Sequence, residues 1–117
     1  MAKLSTHILD TAHGKPAAGI RIQLFSLQGE VRTLITERVS NADGRADSPL
    51  LSGETIPPGT YELVFYCGEY LRASDPKCPT PLFVDVVPIR FGIADAVGNY
   101  HVPLLVSPWS FSTYRGS

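Results

Sequence analysis

The feature that most constrains this chain is a series of short runs in which apolar and polar residues alternate. Alternation with a period of two is typical of a β-strand with one buried face. Turn-forming residues close each run, the strongest signal being Asn-Ala-Asp-Gly at residues 41–44. The runs occupy residues 4–10, 20–27, 31–40, 61–67, 82–93 (interrupted by Pro88) and 100–106. Seven or eight short strands at this spacing, with almost no helical periodicity, predict an all-β fold, an antiparallel β-sandwich.

One short helix is expected within this sandwich. Residues 68–74 could form one or two helical turns, and Asp75-Pro76 would end them because a proline disfavours helical geometry in the residue before it. The chain has 117 residues, close to the commonest size of one domain. We therefore expect a single domain over residues 1–117, with one continuous core.

The composition excludes several classes of function. The net charge is −1 and no basic cluster occurs, so we expect no nucleic-acid partner and no binding to an anionic membrane surface. The longest apolar runs are a few residues, too short for a transmembrane helix. The first residues lack the apolar core of a signal peptide, which predicts a cytoplasmic protein. Cys67 and Cys78 fit that location as two free thiols, because cytoplasmic disulfides are rare.

The alternation also predicts which polar side chains leave the core. Around His7, the neighbours Thr6 and Ile8 belong to the apolar, inward face of the first strand, so His7 points outward. By the same rule His101 points outward from the last long strand, beside Pro103. An outer sheet face that carries leucine and proline indicates an interface or a ligand cleft. A lone strand histidine is nevertheless usually a solvated surface group, and His13, in a turn, is assigned no role.

Four segments resemble the 5-hydroxyisourate hydrolases of the transthyretin family. Residues 4–10 read Leu-Ser-Thr-His-Ile-Leu-Asp, and residues 14–17 read Gly-Lys-Pro-Ala. Asp-Gly-Arg follows at residues 43–45, and residues 100–117 end in Tyr-Arg-Gly-Ser. The C-terminal block is the most specific of the four, whereas Asp-Gly-Arg is weak by itself. The resemblance runs the whole length of the chain and implies a transthyretin-like sandwich.

The resemblance also implies an activity and a site. The family enzymes hydrolyse 5-hydroxyisourate, the unstable product of urate oxidation, as cyclic amidases that need no cofactor and no metal. The residues matched to their catalytic positions are His7, Arg45 and His101, and Tyr114 would help to bind the substrate. Ser117 is assigned to the catalytic set, with the hypothesis that its α-carboxylate orients a histidine. The hormone carriers of the same family have Lys, Glu and Thr where this chain has His7, Arg45 and His101.

Three alternatives remain beside the hydrolase. A non-catalytic transthyretin-like module would bind a small molecule without converting it, and a purely structural sandwich would leave the Tyr-Arg-Gly-Ser ending unexplained. A metal hydrolase built on His7 and His101 lacks the third protein ligand that catalytic zinc usually has. Family members are homotetramers, dimers of dimers whose clefts lie between facing sheets. The resemblance therefore implies self-association of this chain, with 5-hydroxyisourate as its small-molecule partner.

Overall fold

Two β-sheets form most of the structure, a computed structural model that describes residues 1–116. One sheet has the strand order β2-β1-β8-β9, with β5 also paired to β1, and the other has the order β4-β3-β6-β7. The elements are β1 (Ala2–Asp10), β2 (Lys15–Pro16), β3 (Arg21–Gln28), β4 (Val31–Val39), β5 (Leu51–Gly53), β6 (Gly59–Tyr66), α1 (Gly68–Ser74), β7 (Val86–Ile93), β8 (Asn99–Val106) and β9 (Phe111–Thr113). The prediction of an all-β sandwich is confirmed. The described residues contain nine strands, whereas the sequence predicted seven or eight. The count differs because β2, β5 and β9 have only two or three residues each and leave little trace in the sequence pattern.

The centre of the first sheet departs from the antiparallel expectation. β1 and β8 run parallel, with Leu4 opposite Tyr100 and Asp10 opposite Val106. A parallel pair needs a long crossover connection. Here that connection is most of the chain, which passes through the second sheet and α1 before it returns. The other named strand pairs are antiparallel.

The core lies between the two sheets and consists of the inward faces that the alternation predicts. Leu4 and Ile8 of β1 and Leu104 of β8 are completely buried. They meet Leu24 of β3 and Phe65 of β6 from the opposite sheet in one cluster of buried side chains. Burying an aliphatic or aromatic side chain of this size contributes about 1.5–3 kcal/mol relative to exposure. The outward faces of β1 and β8 are therefore positioned by side chains that do not themselves belong to the site.

The predicted helix is present as α1, and its end is set as expected. The backbone N–H of Asp75 donates to the carbonyl of Leu71, after which Asp75 takes an extended conformation ahead of Pro76. Leu71 packs into the core. No helix in residues 1–116 has the length and apolar character that crossing a membrane requires.

A buried carboxylate fastens α1 to the end of β1. Asp10 is 1% exposed and accepts hydrogen bonds from the Tyr70 hydroxyl (2.7 Å), the His13 ring (2.8 Å) and the backbone N–H groups of Ala12 and His13. Burial raises the pKa of Asp10, but these hydrogen bonds outweigh burial, so that its pKa lies below the ordinary value. His13 therefore belongs to a structural network that holds the turn after β1.

Candidate active site

His7 and His101 lie on the same outer face of the first sheet, on adjacent strands. In the parallel register Ser5 is the partner of His101, and His7 is the partner of Pro103. The two histidines are thus diagonal neighbours, and each is half-buried. The sequence prediction that both histidines leave the core on one side is confirmed by this register.

Arg45 reaches the same face by a turn that fills a gap beside β1. β5 and β2 pair with the two ends of one edge of β1, and Arg45 forms an isolated antiparallel bridge with His7 between them. Residues paired in this way project to the same side of a sheet. The exposed Arg45 side chain therefore stands on the outer face beside His7.

Asn41 and Gly44 shape the turn that carries Arg45. The side-chain oxygen of Asn41 accepts hydrogen bonds from the backbone N–H groups of Asp43 (2.9 Å) and Arg45 (3.1 Å). The carbonyl of Gly44 accepts from the N–H of Ile8 at 2.7 Å, which ties the turn to β1. Gly44 has a φ of +76°, and a Cβ at this position would lie 2.3 Å from the carbonyl oxygen of Ile8. Glycine is therefore required here by both conformation and space.

Replacing Gly44 with Ala should damage both stability and the site. A left-handed backbone costs a residue with a Cβ about 1–2 kcal/mol, and the collision with Ile8 adds to that, so we expect a loss of at least about 2 kcal/mol. Arg45 would move with the turn, which should lower any turnover that depends on it by at least about tenfold. Chemical denaturation and a rate assay measure the two effects.

Gly29→Ala is the matched control for that substitution. Gly29 has a φ of +61° with nothing within 4 Å of the added Cβ, so it carries the conformational strain without the collision. A Gly44→Ala protein as stable and as active as the Gly29→Ala protein would contradict the role given to this turn.

The His101 ring is held along both of its edges. On one side the Ser5 Oγ lies 2.9 Å from Nδ1. On the other, Gly116 forms a bridge with His101 and donates its N–H to the His101 carbonyl at 2.7 Å. A Cβ on Gly116 would lie 2.8 Å from Cδ2 of the ring, so only glycine allows this approach. With Nδ1 facing Ser5 and Cδ2 facing Gly116, the end of the ring that bears Nε2 is the part left free.

An open concavity of about 440 Å³ lies in front of this arrangement. It is lined by Lys3, Ser5, Arg45, Asn99, Tyr100 and His101. A volume of this order is within the range of small-molecule sites. The pKa of His101 is lowered from its ordinary value, first by burial and then by the positive charges of Arg45, His7 and Lys3. His101 is therefore predominantly neutral at pH 7 and can accept a proton.

Of the other described residues predicted for the site, neither His7 nor Tyr114 lines this concavity, although His7 lies beside it on the same face. Tyr114 is 60% exposed and lines a separate concavity of about 210 Å³ with Tyr100 and Arg115. Within one chain it does not line the space in front of Arg45 and His101. Ser117 lies outside the described residues, so its predicted part stays a prediction. Residues 1–116 contain no group of three or more His, Cys, Asp or Glu arranged to hold a metal ion.

Sequence reasoning missed three residues of this face. Lys3, Ser5 and Gly116 each flank a predicted site residue, but their contacts depend on the parallel register of β1 and β8 and on the return of the C-terminal segment. The alternation did place Ser5 and His7 on one face. Knowledge of the strand order would have been needed to bring His101 beside Ser5.

The two sheets, the short helix after β6 and a basic outer face centred on β1 and β8 define a transthyretin-like β-sandwich protein. The profile of the family described as Transthyretin: HIUase/Transthyretin family matches residues 4–116. The chain belongs to this family, and the resemblance inferred from its motifs is confirmed.

Several relatives carry names or activities that bear on the site. The chain is 55% identical over 115 residues to 5-hydroxyisourate hydrolase 2 of Rhizobium meliloti (strain 1021), covering 98% of this chain and 96% of the relative. The solved 5-hydroxyisourate hydrolase of Klebsiella pneumoniae superposes with a TM-score of 0.80 at 32% identity over the full length of both chains. A solved (S)-allantoin synthase gives a TM-score of 0.91 at 47% identity, covering 99% of this chain. This chain spans 44% of the length of that synthase.

Proposed function

We propose that this chain hydrolyses 5-hydroxyisourate to 2-oxo-4-hydroxy-4-carboxy-5-ureidoimidazoline in the breakdown of urate. Water adds to the C6 carbonyl, the N1–C6 bond breaks, and the released N1 takes a proton. The observation that carries the proposal is the row formed by Arg45, His7 and His101 on one outer face, beside a concavity of substrate size. Relatives named as hydrolases of this substrate support it.

Each of the three residues has a part that its chemistry suits. His101, neutral at pH 7, takes a proton from the attacking water. General-base catalysis of this kind typically raises a reaction rate by about 10²–10⁴. Arg45 is permanently charged and presents a planar fork to the carbonyl and N–H edge of the ring. It stabilises the negative charge that develops on the C6 oxygen. His7, which forms the backbone β-bridge with Arg45, donates a proton to the leaving nitrogen.

The pH dependence of the reaction should follow His101. If His101 is the base, kcat/KM falls as the pH drops through its pKa, which lies below about 6.5. Replacing Lys3 with Met removes one of the charges that disfavour protonation of His101, so its pKa should rise and the acid limb should move to higher pH. Rate profiles between pH 5 and 8 measure this shift. Lys77→Met, in an exposed loop, should leave the limb unmoved, and an unmoved limb in Lys3→Met would contradict the assignment.

We also propose that the active form is a homotetramer, a dimer of dimers. Strands β7 and β9 are free edges among the described residues, and such edges present unpaired backbone groups. The rings of Phe83 and Trp109 lie 6.2 Å apart, tilted by 35°, although the residues are 74% and 61% exposed, which favours a partner surface nearby. Tyr114, which does not line the concavity of its own chain, would then complete the concavity of a neighbouring subunit.

The assembly is tested by light scattering after size-exclusion chromatography. At micromolar concentration the mass should be that of four chains. A monomer with full activity would contradict both the tetramer and the role given to Tyr114.

We also propose a cellular location and a domain extent for this protein. We place the protein in the cytoplasm, and its cysteines agree with a reducing compartment because Cys67 and Cys78 are both free. Burial, with a contribution from Asp85, raises the pKa of Cys67 to about 12, so this thiol is unreactive. We take residues 1–117 as one functional domain.

The second candidate function is a binding module that retains a ligand without converting it. The same concavity would serve a carrier, and the family includes both kinds of protein. The two are separated by mixing the chain, in molar excess, with 5-hydroxyisourate freshly made by urate oxidase, followed by rapid ultrafiltration. A hydrolase releases ring-opened product into the filtrate, whereas a carrier keeps intact 5-hydroxyisourate with the protein. The second result would contradict the hydrolase proposal.

A further inference from the structure

Ser5 is a polar side chain of the outer face that the three-residue site does not use. It is half-buried on β1, lines the same concavity as His101, and stands directly opposite His101 in the parallel register. Its Oγ lies 2.9 Å from the Nδ1 of His101. A hydroxyl can donate or accept a hydrogen bond, so this contact can select which ring nitrogen carries the proton.

The structure assigns Ser5 as the positioning residue of His101: its Oγ accepts a hydrogen bond from Nδ1–H and keeps Nε2 unprotonated as the base. This assignment rests on the proposed function for its catalytic meaning. The ring is fixed between Ser5 and Gly116, which leaves the Nε2 end free toward the concavity. A base at Nε2 needs its proton on Nδ1, and Ser5 supplies the acceptor for that proton.

The same contact suits both protonation states of the cycle. When Nε2 takes the proton of water, the ring becomes a cation whose Nδ1–H still points at Ser5, so no rearrangement is needed. The charged and titratable groups around the ring are Lys3 and His7 on β1, Arg45 on its turn, and Asp47, which lies beside Lys3 and Ser5. Arg115, from the C-terminal segment, instead stacks over the Tyr100 ring at 4.1 Å. Lys3 and Arg45 are cations that cannot accept a hydrogen bond, whereas the Ser5 hydroxyl is neutral and can accept one from the imidazolium.

The kinetic test compares Ser5→Ala with Ser5→Thr. Loss of the acceptor should lower kcat by about tenfold with a smaller change in KM, because the lost contact is one to His101 and acts on its protonation. The pKa of His101 should also fall further, since a hydrogen bond to the charged form is lost, and the acid limb should move to lower pH. Threonine keeps the hydroxyl and should restore kcat to within about twofold. Ser26→Ala, a half-buried strand serine in the other sheet, should match the parent protein.

A spectroscopic test stands apart from activity. Long-range ¹H–¹⁵N correlation spectra of the parent protein should show neutral His101 with the proton on Nδ1, and Ser5→Ala should shift the population toward Nε2–H. A parent protein with the proton on Nε2, or an unchanged tautomer in Ser5→Ala, overturns the assignment. If the parent is inactive toward 5-hydroxyisourate but shows the Nδ1–H form, the proposed function fails while the positioning contact stands.

Discussion

Replacing Arg45 with Ala should lower kcat/KM for 5-hydroxyisourate by at least about two orders of magnitude without unfolding the protein. Donors aimed at a developing oxyanion are typically worth about 10²–10³ in rate. Arg45 is the permanently charged group bridged to His7, and its side chain is exposed, so its removal leaves the core untouched. His7→Asn and His101→Asn should each cause a loss of similar size.

Two further variants sharpen the Arg45 result. Arg45→Lys keeps a charge but loses the planar fork, and it should recover only part of the lost rate. Arg72→Ala removes an exposed arginine from the last turn of α1 and should leave the rate unchanged. Steady-state rates with denaturation midpoints for every variant separate chemistry from folding. A near-parental rate for Arg45→Ala would remove Arg45 from the site.

Replacing Asp10 with Ala should have the largest effect on stability. The buried carboxylate accepts four hydrogen bonds, from Tyr70, from the His13 ring and from two backbone N–H groups. Its removal leaves the Tyr70 hydroxyl and the two backbone N–H groups without the acceptor that they share, whereas the His13 ring, whose side chain is 44% exposed, can bond to water. Breaking a buried charged network of this kind costs about 3–5 kcal/mol. We therefore expect the free energy of unfolding, measured in urea, to fall by at least about 3 kcal/mol.

The hydrogen-bond network of Asp10 also predicts a graded loss of stability among variants and a dependence of stability on pH. Tyr70→Phe removes one hydrogen bond and should cost about 1 kcal/mol, and Asp43→Ala, in the exposed turn, should cost little. The pKa of Asp10 is lower in the folded than in the unfolded chain, so this stabilisation is present above the unfolded value near 4 and is lost as the pH falls below it. Equal stability of Asp10→Ala and Asp43→Ala would contradict the account.

The strand pattern was readable from the sequence because one physical rule governs it. Each inward face must be apolar, so Leu4, Ile8 and Leu104 identify the core and His7 and His101 fall on the other face. The helix end at Asp75 was equally local, because it depends on the proline that follows.

The assembly of the site was not readable, because it depends on contacts between distant segments. The direction of β8 beside β1 is decided by a crossover of about ninety residues, and an alternating pattern is the same for parallel and antiparallel neighbours. Asn-Ala-Asp-Gly at residues 41–44 predicted the turn before Arg45, but only the bridge to His7 puts Arg45 on the outer face. The resemblance to the family identified the candidate site residues, whereas their arrangement in space depends on the fold.

Hydrolase activity is measured most directly as the rate at which freshly generated 5-hydroxyisourate disappears in the presence of this protein. Urate oxidase produces the compound from urate, and its absorbance is followed after urate has been consumed. We expect a decay rate that rises in proportion to protein concentration, at catalytic amounts of protein, and whose protein-dependent part is at least about a hundredfold smaller for Arg45→Ala. A decay rate identical to buffer at every protein concentration would contradict the proposed activity.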